Sequence, residues 1–456
     1  MKAKIIFYKD ENDLPNKLQK RCTLKFGEMF HCYDELLDEV YIYNAQTQYP
    51  DNQDWVKLGE ECCKFIQKKG ITDIELDEKD CKQINLSGFL EGLYKSDYSF
   101  DRYHSNKNKE SISVKIPKDF MDISATARTI AEAVHVTRDI CNEPANVLYP
   151  RTYADYLRNL FEGTNVEVKI IDHDDLEEEG FYGVQTVGSG SKYEPCVAVL
   201  TLKTNDEDPL ALIGKGVTFD TGGVNVKTGS AIAEMKMDLG GAAAVTGAMK
   251  LLADMDAACH VIAILPLVEN AAGTNAYLPS DVIRYRNDIT VEVGNTDAEG
   301  RLIIADAILY AQLIGVNRII DIATLTGNVG QALGLKMAAV FSNHKYISDK
   351  VYEYGQKSGD EVWPMPLEKD YKSYMKSHVA DISNMSSSSF AGAITAALFI
   401  EHFVEEQTKW IHIDMANTSR FFPDADEGAS GFGTKILYEL VTAREELWND
   451  GMDRRK

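Results

Sequence analysis

Between residues 196 and 416 the chain repeats one texture: short, almost uninterrupted apolar runs separated by longer stretches with helical periodicity. The runs are "CVAVLTL", "PLALIG", "HVIAILP", "RIIDIATLTG", "KMAAVFS" and "WIHIDMA"; the stretches include "GGAAAVTGAMKLLADM", "LIIADAILYAQLIG" and "AGAITAALFIEHFV". A strand apolar on both faces needs cover on both faces, and the intervening helices are the available cover. The pattern predicts an α/β domain on a buried, mainly parallel or mixed central sheet flanked by helices. In such sheets a ligand site lies beyond the carboxyl ends of the strands.

At 456 residues the chain exceeds one ordinary core, which predicts a second domain. The first hundred residues alternate on a smaller scale, with strand-like "AKIIFY", the periodic "DWVKLGEECCKFIQKKG" and its glycine stop, then strand-like "ITDIEL". These predict a small N-terminal α/β domain over 1–110. The polar, aperiodic "HSNKNKES" at 104–111 puts a linker nearby, 111–135 forms the linker and connecting helix, and 136–456 forms the larger domain.

A charged content of 26% and a hydrophobic content of 44% are those of a soluble globular protein. Acidic residues outnumber basic ones 71 to 48, a net charge of −23. That field repels nucleic acid and anionic membranes and concentrates divalent cations. Eight scattered cysteines without a Cys-x-x-Cys suit reduced thiols in the cytoplasm. The apolar run at the N-terminus turns acidic too soon for a signal peptide, and no window approaches the ~18 apolar residues of a membrane helix.

Charge inside such an apolar domain is the informative part. "GNTDAEGRL", residues 294–302, sets Asp297, Glu299 and Arg301 between strand-like "DITVEV" and a buried helix. "IGKGVTFDTGGVNVKTGSAIAEMKMDLGGAAAV", residues 213–245, adds Lys215, Asp220, Lys227 and Asp238 among glycines that let the backbone approach a ligand. Singly, each acid reads as a cap or turn residue. Together they are four carboxylates on strand-end loops, which share a pocket only if cations neutralise them. Two divalent ions bridged by shared carboxylates would do so and would supply a hydroxide nucleophile. The closest histidines are His402 and His412, so His-Glu-x-x-His is absent and the ligands must be oxygens with room for a lysine. No serine or cysteine carries a nucleophile signature. "GASGFGTK" at 428–435 mimics a phosphate loop with its Thr-Lys order reversed and no strand before it; His412 and Asp414, alternating on a core strand, read as satisfied buried polar groups.

These segments resemble the leucyl aminopeptidase family, the cytosol aminopeptidases. "NTDAEGRL" is similar to the family signature, and "GKGVTFDTGG", the lysine seven residues after its aspartate, and "MKMDLGGAAAV" are similar to its other metal-binding segment. "EPANVLYP", "DIATLTG" and "HIDMA" follow in the family's order, so the resemblance spans about 130–445. "GFLEGLYKSDYSFDRY" is similar to the segment that closes the family's N-terminal domain.

The resemblance implies two metal ions per subunit, zinc or manganese with magnesium or cobalt as other candidates. It makes Asp220 and Glu299 the bridges, gives Asp297, with its backbone carbonyl, to one ion and Lys215 and Asp238 to the other. It implies that Lys227 polarises the scissile carbonyl and that Arg301 holds a bicarbonate general base. Met235, Thr324, Leu325, Gly327 and Ala416 would line the pocket for the substrate's first residue. The substrates would be peptides with a free N-terminus, and the assembly a homo-hexamer. After Ala416 the chain departs from the family: Asn417 stands where glycine is usual and Ser419 where some relatives have methionine. Either the pocket is wider and more polar, or Asn417 points away and caps a turn. Two other functions are weighed: a nucleic-acid-binding regulator on the same fold, opposed by the charge of −23, and an inactive scaffold, opposed by the filled functional positions.

Overall fold

The computed structural model describes residues 2–21, 25–32, 38–43, 51–105, 111–420, 428–443 and 445–449. The chain divides into two compact units, Met1–His135 and Val136–Lys456. Most of the polar segment read as a linker, 106–110, lies outside the described residues.

The first unit holds a five-stranded sheet of β1 (Lys2–Tyr8), β2 (Met29–Cys32), β3 (Asp38–Tyr43), β4 (Asp73–Glu75) and β5 (Ser113–Lys115). Its order is β2-β3-β1-β4-β5, parallel except for β2 against β3. Ile5, Phe7, Val40 and Ile42 pack with Trp55, Leu58 and Phe89 of the helices Asn52–Lys68 and Leu86–Ser96. Buried Asp80 accepts a 2.9 Å bond from the Phe7 backbone N–H. Burial, reinforced by nearby Asp77, pushes its carboxyl up to about 6. The folded chain thus holds this proton more tightly than the unfolded chain does. The stabilisation it carries is complete below about pH 4 and lost as pH rises through about 6. Asp80→Asn keeps an acceptor for Phe7 and should abolish that loss. Hydrogen exchange of the β1 amides should show extra protection in the variant at about pH 7 but not near pH 4; equal differences at both would reject the assignment.

The second unit is built on a nine-stranded mixed sheet. Its strands are β6 (Val166–Ile171), β7 (Cys196–Lys203), β8 (Leu210–Gly214), β9 (Gly216–Asp220) and β10 (His260–Asn270). After β11 (Val282–Arg284) and β12 (Thr290–Glu292), which pair in a separate small sheet, come β13 (Arg318–Ala323), β14 (Ala338–Ser342) and β15 (Val362–Pro364). Two-residue β16 (Ile382–Ser383) joins the small sheet, and β17 (Lys409–Asp414) returns to the large one. The large-sheet order is β15-β14-β17-β13-β8-β10-β7-β6, with β9 paired to β10. The central β17, β13, β8 and β10 run parallel, so their carboxyl ends share one edge.

The sheet is buried on both faces, as its apolar runs require. Helices Pro150–Phe161, Gly240–Asp254 and Thr434–Thr442 contribute to one core, and Gly300–Leu313 and Gly392–Glu401 to the other. The small residues of Gly240–Asp254 let that helix lie against the backbone: a Cβ on Gly241 would fall 2.1 Å from the Ile322 carbonyl oxygen. The phosphate-loop look-alike is a helix start already capped, since Asp360 Oδ2 accepts from the Gly433 and Ile436 N–H groups at 3.1 Å each. The described cysteines are buried free thiols, and no described helix is long and apolar enough to cross a membrane.

Candidate metal centre

The predicted ligands come from four places in the chain and meet at one edge of the large sheet. Lys215 follows β8, Asp220 ends β9, and Asp238 follows the 3₁₀ turn Ser230–Met237 just before the helix Gly240–Asp254. Asp297 lies in the loop after β12, and Glu299 is the residue that begins the helix Gly300–Leu313. Lys215 is placed by its backbone, whose N–H donates to the Ile322 carbonyl (3.1 Å) and whose carbonyl accepts from Ala242 N–H (2.9 Å). Gly300 leaves room for its side chain, because a Cβ there would lie 2.9 Å from Lys215 Nζ.

Asp220, Asp297 and Glu299 each offer an oxygen within 4.8 Å of the others. Lys215 Nζ sits 2.8 Å from Asp238 Oδ1 and 2.9 Å from Glu299 Oε1, and donates to the Thr324 carbonyl at 2.7 Å. Lys227 Nζ lies 2.8 Å from Asp220 Oδ2 and also pairs with Asp297 Oδ1. Asp220, Asp238, Glu299 and Lys215 are buried, while the side chain of Lys227 is 24% exposed and able to reach a bound molecule.

So many buried charges perturb one another. Burial and the adjacent Glu299 push Asp220 up to about 7, and burial holds Asp238 far above the usual carboxylate range. At Glu299 the Lys215 ammonium outweighs burial and keeps the carboxyl below its ordinary value. At Lys215 burial alone would favour the neutral amine, but Asp238, Glu299 and Asp220 reverse it and hold the ammonium. A lysine that ligates metal must be neutral, so loading this position has to expel a proton. Two lysines against four carboxylates leave an acidic excess. Asp238 Oδ2 and Glu299 Oε2 are buried with no hydrogen-bond partner among the described residues. Unpartnered buried carboxylate oxygens around a lysine amine suit hard or borderline divalent cations.

Amides that the sequence did not single out hold this geometry. Asn270, fully buried at the end of β10, donates from Nδ2 to Asp220 Oδ1 (2.8 Å) and to the Thr296 carbonyl (2.9 Å). Thr296 N–H donates to Asn225 Oδ1 at 2.9 Å, and Asn225 N–H to Thr296 Oγ1 at 2.9 Å. Asn384 accepts from Gly294 N–H (2.7 Å) and Asn295 N–H (3.2 Å) and donates to the Asn295 carbonyl (2.8 Å), which fastens the loop bearing Asp297 and Glu299. The one available signal was a polar residue closing a long apolar run, at Asn270.

A cavity of about 620 Å³ opens over the cluster, lined by Lys215, Asp220, Asp238, Asp297, Glu299 and Lys227 together with Met235, Thr324, Leu325, Gly327 and Ala416. Arg301 is not among the lining residues. It is buried, with Nη1 donating to the Asn384 carbonyl at 2.9 Å and Nε without a partner among the described residues, and burial lowers its guanidinium to about 10. Ser419 lines the cavity, whereas Asn417 turns its amide to the Gly334 and Met337 carbonyls, so of the two readings of Asn417 the turn-capping one is the arrangement seen. His412 pairs with Asp321, but its Nε2 has no partner among the described residues, so it is only partly satisfied.

A cavity of this kind, acidic and lysine-bearing at the carboxyl edge of an α/β sheet, suits a metal-dependent hydrolase. Comparison with known proteins narrows the class. The model of the cytosol aminopeptidase family, catalytic domain, matches residues 135–438. A probable cytosol aminopeptidase of Solibacter usitatus is 38% identical over 397 residues, covering 84% of this chain and 82% of the relative. One of Phytoplasma mali is 34% identical over 417 residues, covering 87% and 83%. Among solved structures, a bottromycin maturation enzyme, BotP, in complex with Mn is similar with a TM-score of 0.88 and 26% identity over 97% of this chain and 98% of that one. The chain belongs to the cytosol aminopeptidase family and is a hydrolase of the leucyl aminopeptidase type.

Proposed function

We propose that the protein removes the N-terminal residue from peptides with a free α-amine, using two divalent ions. The observation that carries this is the convergence of Asp220, Asp297 and Glu299, joined through Lys215 to Asp238, with buried oxygens on Asp238 and Glu299 that have no partner among the described residues. Asp220 and Glu299 would bridge the ions, Asp297 with its carbonyl would complete one shell, and Lys215 with Asp238 the other. When bound, such ions supply Lewis acidity and a water-derived nucleophile at neutral pH. Lys227, the partly exposed lysine of the cluster, would turn its ammonium to the scissile carbonyl oxygen and to the negative charge that develops there. Arg301, whose Nε has no hydrogen-bond partner among the described residues, would hold a bicarbonate, and that ion would supply a general base for the nucleophilic water. Zinc or manganese are the ions proposed, in a cytoplasmic homo-hexamer whose chain divides into 1–110, the connecting 111–135 and the catalytic 136–456.

Metal analysis combined with a panel of aminoacyl amides tests this. The expected result is about two ions per chain and hydrolysis lost with them on chelation. Enzyme re-metallated with zinc or manganese that cleaves none of the amides would reject the proposal.

The pocket also carries a prediction about side-chain preference. Ser419 lies in the lining where some relatives place a thioether, which removes apolar contact worth about 0.8 kcal/mol per methylene. Leucine and methionine should be accepted with only a modest advantage in kcat/KM over alanine, asparagine and arginine, and Ser419→Met should raise that advantage several-fold. A wild type that already prefers leucine a hundredfold, unchanged by Ser419→Met, would rule this out.

A further inference from the structure

We infer that Asp414 is a positioning residue for the side-chain pocket, one that fixes the pocket's walls without touching the substrate. The inference rests on the proposed aminopeptidase reading. Asp414 ends β17, in register with Ala323 at the end of β13, and is completely buried. Two loops leave these strand ends. The loop after β13 brings Thr324, Leu325 and Gly327 to the cavity, and the loop after β17 brings Ala416 and Ser419. Asp414 Oδ1 accepts from the Leu325 N–H (3.1 Å), the Thr326 N–H (3.3 Å) and, on its own loop, the Ala416 N–H (3.3 Å). Its Oδ2 accepts from the Thr326 hydroxyl at 2.7 Å. One carboxylate therefore ties both walls together.

The loop's other attachment is to the ligand cluster. Thr324 Oγ1 donates to Asp238 Oδ1 at 2.8 Å, and the Thr324 carbonyl accepts from Lys215. The segment Thr324–Gly327 is thus stretched between the proposed metal ligands and Asp414. Its ligand-side bonds belong to the chemistry, and its Asp414 bonds set how far the pocket wall stands from the reacting centre. A buried carboxylate that leaves no oxygen unpartnered and serves three backbone N–H groups on two loops is costly to replace. A purely structural role would lower activity toward all substrates alike. A positioning role changes the ratio between side chains.

The test measures kcat and KM for leucine, methionine and alanine amides, with metal content, in wild type, Asp414→Ala, Asp414→Asn and Thr326→Val. In Asp414→Ala, KM for the leucine amide should rise about tenfold, and the leucine-to-alanine ratio of kcat/KM should fall at least threefold, with metal content unchanged. Asp414→Asn, whose amide oxygen still accepts from the backbone N–H groups, should restore most of both. Thr326→Val removes one bond and should shift the ratio in the same direction, which keeps the test open if Asp414→Ala does not fold. Side-chain ratios unchanged from wild type in both Asp414→Ala and Thr326→Val would overturn the inference, however far overall activity falls. A wild type inactive on every amide would overturn the aminopeptidase reading itself.

Discussion

Asp220→Ala and Glu299→Ala are each expected to lose nearly all hydrolysis and to lose both ions together. Each carboxylate is assigned to both ions, so its removal cannot spare one of them. The surroundings add to the effect. Without Asp220, the Gly222 N–H loses its side-chain acceptor, the Asn270 amide is left with the Thr296 carbonyl, and Lys227 is left with Asp297 among the described residues. Without Glu299, the buried Lys215 ammonium loses one of its two close ion-pair partners among the described residues and keeps Asp238. Elemental analysis of purified, re-metallated protein is the decisive measurement. One strong site in the wild type, or a Glu299→Ala protein that retains both ions and activity, would refute the two-ion assignment.

Lys227→Ala should lower kcat by about 10²–10³-fold while changing KM far less, because a donor aimed at transition-state charge is worth about 3–4 kcal/mol. The geometry calls for a control. Lys227 also pairs with Asp220 and Asp297, so its loss could act through the ligands instead of the substrate. Metal content equal to that of wild type, alongside the kcat loss, separates the two. Arg301→Ala should be milder, and bicarbonate should stimulate the wild type but not the variant; equal stimulation of both would remove Arg301 from the role of anion holder.

The acids and lysines of the site were legible because charge between buried apolar elements is conspicuous: Asp297 and Glu299 stand out against the strand and helix beside them. Their convergence was implied by the resemblance to the family's metal-binding segments, since like charges by themselves favour separation. The amides that hold the loops were not legible. Asn225 and Asn384 sit in polar, turn-rich stretches where asparagine is ordinary, and their partners lie 71 and about 90 residues away in the chain. Strand β9, five residues between glycines and a site loop, lacks a pattern of its own, and β11 and β16, of three and two residues, are shorter than any periodicity can register, whereas β12 lies within the strand-like "DITVEV". Residues 417–419 show a similar limit. Sequence marks both Asn417 and Ser419 as departures, but only the fold shows that one faces the cavity and the other a neighbouring turn.

The position of β17 in the sheet has a kinetic consequence. This strand is the last of the large sheet to leave the ribosome, yet it lies between β13 and β14, so β14 and β15 cannot join the rest until residues 409–414 arrive. Closure across such sequence separations is slow, because loop entropy is lost before the contacts form. Since β17 also carries Asp414, the pocket and the sheet should be completed in a single late event. Trp410 reports on it directly: the ring is fully buried and its Nε1–H donates to Asp321 Oδ2 at 2.6 Å. In a variant that keeps Trp410 as the only one of the four tryptophans, refolding fluorescence and the return of activity should share one slow rate. If the fluorescence recovers well before activity, strand insertion is not the step that completes the pocket.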